Sequence, residues 1–143
     1  MILYNEGVDD KSIRDLETFL DVSIPVDYYD FLNKSDGCQP HDGNYISFEI
    51  ENVTDDLLLG RLYGVDDIKN KRVEYLEDLP NEAFIIGEEY GSGFLVLVSG
   101  LGDKDGIYFW DLTMFLESST EEDSSYRISD SFSGFTNRLV LLN

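Results

Sequence analysis

Residues Phe84 to Asp111, FIIGEEYGSGFLVLVSGLGDKDGIYFWD, decide how the rest of the chain must fold. Phe94-Leu95-Val96-Leu97-Val98 is apolar at every position, so the strand it forms needs cover on both faces and belongs mid-sheet. Gly106-Ile107-Tyr108-Phe109-Trp110-Asp111 is a second aromatic and β-branched run, and Ser99 to Asp105 between them is turn chemistry. The two runs therefore predict a hairpin. If Ile107 and Phe109 face the interior, Tyr108 and Trp110 face the other side of the sheet, where a helix or a partner covers them.

Upstream, Ser12 to Leu20 places Ile13, Leu16, Phe19 and Leu20 at helical spacing, with Asp9 and Asp10 near the positive end of the dipole. Ser23-Ile24-Pro25 offers a cap and an early proline for a second helix, striped by Tyr28, Phe31 and Leu32 and stopped by Asp36-Gly37. Cys38 to Asn44 is read as an exposed loop because of Gln39-Pro40 and Asp42-Gly43. Tyr45 to Ile50 alternates, turning Ile46, Phe48 and Ile50 to one face and Ser47 and Glu49 to the other. Leu57 to Tyr63 adds a short strand. After Gly64, Val65, Ile68, Arg72, Val73 and Leu76 mark a third helix that Pro80-Asn81 closes.

Downstream, Leu116 to Tyr126 is serine-rich and acidic with hydrophobic ends, the pattern of a mobile loop. Phe132, Phe135, Thr136 and Leu139 lie at i, i+3, i+4 and i+7 behind Ser129-Asp130-Ser131, predicting a terminal helix. At 143 residues, with no internal repeat and no linker, residues 1–143 are expected to form one α+β domain: a central, mostly antiparallel sheet with helices from the N- and C-terminal segments packed on it.

Thirty acidic against ten basic side chains leave a formal charge of −20. Such a field repels phosphate backbones and anionic lipid heads and draws in cationic partners, so neither nucleic acid nor membrane is an expected direct partner. Solubility alone would also account for the acidity. Cys38 is the only cysteine and His41 the only histidine, which excludes an intrachain disulfide and any CxxC or histidine-cluster metal site. A reducing cytoplasm suits this composition. The N-terminal MILYNEGVDDKS lacks the basic start and apolar core of a signal peptide, and no apolar run approaches a membrane span.

The ordered landmarks are familiar. Ile24-Pro25-x-Asp27-Tyr28-x-x-Phe31-Leu32 running into Asp36-Gly37 resembles the amino-terminal signature of the SUKH superfamily. Leu62-Tyr63-Gly64, Leu79-Pro80, Ile85-Ile86-Gly87, the glycine-bracketed strand, Gly106 to Asp111 and Ser131-Phe132-x-x-Phe135 follow in that superfamily's order. Of its branches the Smi/Knr-like one is the most similar. The resemblance implies an α+β fold, and it implies that bacterial members are mostly immunity proteins that neutralise toxin domains, often nucleases, whereas fungal relatives regulate cell-wall synthesis. The acidic stretch Ser118 to Ser125 has no counterpart in that pattern.

Catalytic motifs are weak. Gly91-Ser92-Gly93 does not fit the glycine spacing of a nucleophile elbow. Gly100-x-Gly102-x-x-x-Gly106 joins two strands rather than opening a helix, and Asp103-Lys104-Asp105-Gly106 lacks the distal glutamate of a calcium loop. No cofactor, metal or catalytic residue is therefore expected. Three functions remain in view. One is a cytoplasmic immunity protein whose acidic surface occludes the cationic active site of a cognate basic toxin, a nuclease in this reading. Another is a regulatory or scaffold interaction module of the wall-regulator kind. The third is an enzyme working through clustered carboxylates in a concave pocket, which no nucleophile or histidine supports. For the first, the expected partner contacts are Glu88, Glu89 and Tyr90 beside the central strand, Asp103 and Asp105 at the hairpin tip, and Asp111 and Glu117 after it.

Overall fold

The computed structural model describes residues 2–51, 53, 57–114, 116, 118–120 and 123–142. In chain order these form β1 (Ile2–Tyr4), α1 (Asp10–Leu20), α2 (Val26–Lys34), β2 (Cys38–Pro40), β3 (Tyr45–Phe48), β4 (Leu57–Leu62) and α3 (Val65–Glu74). Then follow β5 (Ala83–Glu89), β6 (Phe94–Val98), β7 (Gly106–Trp110), β8 (Ser125–Ser129), α4 (Phe132–Thr136) and β9 (Val140–Leu142). The architecture is α+β. Its sheet runs β1-β2-β4-β5-β6-β7-β8, with β3 branching from β4 and carrying β9, and every described pairing is antiparallel.

β6 is the inner strand that its all-apolar composition requires, paired with β5 on one side and β7 on the other. Leu95 and Leu97, with their partners Phe109 and Ile107, face one layer, and all four are fully or nearly fully buried. There Phe109 meets Phe48 at 6.0 Å between ring centroids, and Phe48 meets Phe135 of α4 at 5.9 Å. Tyr28 of α2 closes the same layer against Phe132 at 4.8 Å. On the opposite face Phe94 pairs with Trp110, and Tyr75 at the end of α3 lies edge-on over both, at 5.2 and 5.5 Å. A helix end therefore covers Trp110, while Tyr108 lies under the guanidinium of Arg127.

Polar ties fix the helices. Asp9 caps α1 by accepting the Ser12 N–H at 2.9 Å. Asp36 reaches across to accept the Val65 N–H at 2.7 Å, which supplies α3 with the cap that Gly64 cannot. Arg72 donates to the carbonyls of Leu20, Asn81 and Ala83, joining α1, α3 and the entry to β5. Asp27 accepts both the N–H and the hydroxyl of Ser133, tying α2 to the start of α4.

Several sequence expectations need correction. Cys38 to Asn44 is not wholly a loop: Cys38–Pro40 is β2, and Cys38 is buried between Tyr4 and Leu62. Pro40 stands at the last position of β2, opposite Ile2 of β1 and beyond Cys38, the one β2 residue paired with β4, a strand-end place that proline tolerates. Ser23 does not cap α2, and Pro25 occupies that position. Phe19 and Val73 share the apolar spacing of their helices yet are exposed, Phe19 lying beneath the Lys69 ammonium, and α3 ends at Glu74, well before Pro80, leaving an exposed Leu76 past its end. The described part of Leu116 to Tyr126 is held in place: Leu116 is buried, and Ser118 and Ser119 both exchange hydrogen bonds with the Tyr126 hydroxyl. β8, β1 and β9 are absent from the sequence reading because each is short and its apolar residues too few to show a period.

Candidate functional site

A concave polar surface of the described residues lies between β2, β4 and the start of α3, beside the β4–β5 pair. A bulge between Leu59 and Arg61 offsets the two strands, and Gly60 fits because a Cβ there would stand 2.9 Å from the Glu88 carbonyl. The bulge turns Arg61 outward. Its Nε donates to Glu88 at 3.0 Å, a terminal nitrogen lies 3.5 Å from Asp67, and the guanidinium rests 5.0 Å from the Tyr63 ring. The Glu88 hydrogen bond, aided by both carboxylates, raises the guanidinium further above its ordinary value.

Around it opens a cavity of about 340 Å³ whose lining includes Asn5, Asp36, Gln39, Asp66 and Asp67. Gln39 also lines the next cavity, about 240 Å³, which runs past His41 and Asp42 to Tyr45 and Tyr90. These two tyrosines meet edge-on at 6.0 Å and are 47% and 64% exposed, a large apolar investment at the surface of so charged a chain. The two cavities share Gln39, with carboxylates about the first and a tyrosine pair at the second, and together they make up the trough. Such a surface can take a guanidinium or an ammonium by ion pairing and by cation–π contact.

Of the expected contacts, Glu88, Glu89 and Tyr90 come together here. Glu88 holds Arg61, and Glu89 accepts the Gly91 N–H at 2.8 Å, stiffening the turn that presents Tyr90. Asp103 and Asp105 lie at the other end of β6, about five residues or roughly 17 Å away at the usual rise of a strand. Asp105 is occupied within its own turn by the N–H groups of Gly100 and Leu101, whereas the side chain of Asp103 is exposed. Asp111 is only 1% exposed and accepts the Leu116 N–H at 2.8 Å and the Ser119 hydroxyl at 2.5 Å, so it organises the loop after β7 from beneath. Glu117 lies outside the described residues.

Arg61, Asp36, Asp67 and Tyr45 are the residues that the sequence reading did not assemble. Tyr45 had a legible signal, since a strand that buries Ile46 and Phe48 must turn Tyr45 outward. The other three meet only through the bulge and the reach of Asp36 to α3. A pocket with clustered carboxylates is also what a carboxylate enzyme would present. Here, however, Asp36 accepts the Val65 N–H and Asp67 and Glu88 share Arg61, so these groups act as a cap and as ion-pair partners. Cys38 is buried and its thiol is pushed up to about 11, which keeps it a neutral, unreactive thiol near pH 7. Among the described residues no group of three or more His, Cys, Asp or Glu side chains is placed to hold a metal ion. Among them, too, no helix is long and apolar enough to cross a membrane.

A family model described as SMI1 / KNR4 family (SUKH-1) matches residues 7–138, nearly the whole chain. The chain belongs to the SMI1 / KNR4 family. No curated protein sequence matches it. SUKH-1 membership agrees with the resemblance carried by Ile24 to Asp36 and by the central strands, and it is consistent with an immunity-protein role and a protein as partner. The matched span contains the whole trough except Asn5, while β1 and β9 of this SUKH-1 chain fall outside it.

Proposed function

We propose that this SUKH-1 chain is a cytoplasmic immunity protein, not an enzyme, that neutralises a cognate basic toxin domain, in this reading a nuclease, by covering its cationic active site. The observation that carries the reading is the trough, in which Asp36, Asp66 and Asp67 line a cavity with a single arginine, Arg61, itself paired with Asp67 and Glu88, next to the Tyr45–Tyr90 pair. The five ion pairs of the described residues engage few of the thirty acids, so most of the negative charge is left to act outward. Toxin Lys and Arg side chains that normally hold substrate phosphates would pair with Glu88, Glu89, Asp66 and Asp67. Tyr90 and Tyr45 would supply the desolvated centre, where close charge pairs couple by about 1.5–7 kcal/mol against at most about 1 kcal/mol at an exposed rim. Asp103, at the other end of β6, would reach the rim of so large a contact.

The test is growth rescue against the toxin domain encoded by the adjoining open reading frame. Wild type should rescue, and combined Asp67→Lys and Tyr90→Ala should abolish rescue without loss of fold. Failure of the wild-type chain to rescue or bind would sink the immunity reading, and several weak partners in its place would favour the wall-regulator type of scaffold. Rescue by the double variant would leave the function standing and move the interface elsewhere.

A further inference from the structure

A second surface lies at the β1–β2–β4 end of the sheet, bordering the trough at Cys38 and Leu62. Ile2 and Tyr4 of β1, with Leu139, line both a cavity of about 750 Å³ floored by Phe31 and Phe132 and a neighbouring one of about 290 Å³ that reaches Ile46 and Leu141. The two form one apolar groove. It is bounded by two of the three strands that pair on one side only among the described residues: β1 hydrogen-bonds to β2 alone and β9 to β3 alone, the third, β8, lying at the far end of the sheet. Tyr4 is 60% exposed, and Val140, Leu141 and Leu142 are each 40% exposed or more.

We propose that this groove receives an extended, basic-flanked segment of a protein partner, bound as an added strand between β1 and β9. Unpaired strand edges beside apolar pockets are the two elements of strand addition: the backbone of the incoming segment satisfies the open edges while alternate side chains fill the pockets. A helix would leave those edge N–H and C=O groups unused. A second copy of this chain is disfavoured because two bodies of −20 repel on approach. The same field, with Asp30 on the rim outside every described ion pair, favours lysine or arginine flanks, while Lys34 is the one cation of the lining. The inference does not rest on the toxin reading, since the apolar lining of Ile2, Tyr4, Phe31, Phe132 and Leu139 is no part of the trough, although Cys38 and Leu62 border both.

The experiment selects random phage-displayed peptides of about ten residues, the length of a long strand, on the immobilised full chain. Binding of the enriched peptides, made synthetically, is then measured by fluorescence anisotropy. The expected binders carry apolar residues at every second position and net positive charge. Their affinity should fall about tenfold or more with Tyr4→Glu and with Leu141→Glu, both exposed enough to leave the fold intact, and should be unchanged by Tyr90→Ala. The proposal is overturned by apolar residues at three- and four-residue spacing, by absence of enrichment, or by binding that tracks Tyr90 instead. It is equally overturned by a wild-type dimer that Leu141→Glu dissociates.

Discussion

Asp111 stands at the end of β7 in what the sequence presents as one more surface acid, and the structure turns it inward. Its carboxylate receives the Leu116 N–H and the Ser119 hydroxyl, while its own N–H donates to the Ser124 carbonyl at 2.8 Å. Asp111→Ala removes at least these two hydrogen bonds to a charged acceptor, each worth about 1.5–3 kcal/mol net, and strands the Leu116 N–H in a buried place. The expected loss is about 3–5 kcal/mol, a large part of the roughly 5–15 kcal/mol that holds a domain together, and about 10 °C or more in Tm. Urea unfolding followed by tyrosine and tryptophan fluorescence should show a lower midpoint with an unchanged slope. Asp111→Asn, whose one amide oxygen can still accept both bonds from the place of Oδ2 but without the charge, should lose roughly half as much. If Asp111→Ala unfolds within about 0.5 kcal/mol of wild type, the inward role is wrong. A loss of partner affinity with no loss of stability would restore Asp111 to the surface.

Other expectations follow from single features. Gly37 has φ +86°, and a Cβ there would lie 2.6 Å from the Leu62 carbonyl, so Gly37→Ala should cost about 2 kcal/mol or more in the same urea assay. The Cys38 thiol, pushed up to about 11 by burial, should react with a disulfide reagent at pH 8 only as fast as the chain opens; labelling at the rate of a free thiol would contradict its burial. Because the native thiol keeps its proton to about 11 while the unfolded one gives it up near 8.5, this group's contribution to stability is intact below that range and falls as pH rises through it. With −20 of charge and few ion pairs, added sodium chloride should raise Tm by screening self-repulsion, and a fall in Tm would mean that the ion pairs matter more than the surplus.

The fold was legible where composition and burial coincide. A run with no polar residue, Phe94 to Val98, has one place in a sheet, and the tyrosine, phenylalanine and leucine stripe of α2 has one face to bury. It was illegible where tertiary pairing overrides local chemistry. Nothing in Cys38-Gln39-Pro40 favours a strand until β1 and β4 flank it, and β8 carries its Tyr126 and Ile128 amid serines and charges. The acids show the same division. Consecutive Glu88, Glu89 and Tyr90 were bound to share a strand end, but no spacing brings Arg61 and Asp67 to Glu88, or distinguishes Asp111, which bends inward, from Asp103, which does not.

The central claim is that the acidic trough is the face that meets a basic toxin domain. The measurement that tests it most directly is the dissociation constant of the complex with the toxin catalytic domain, titrated from low to high sodium chloride for wild type and for Asp67→Lys with Tyr90→Ala. The account predicts tight binding that weakens steeply with salt and is lost in the variant. Binding that ignores both salt and the two substitutions would contradict it.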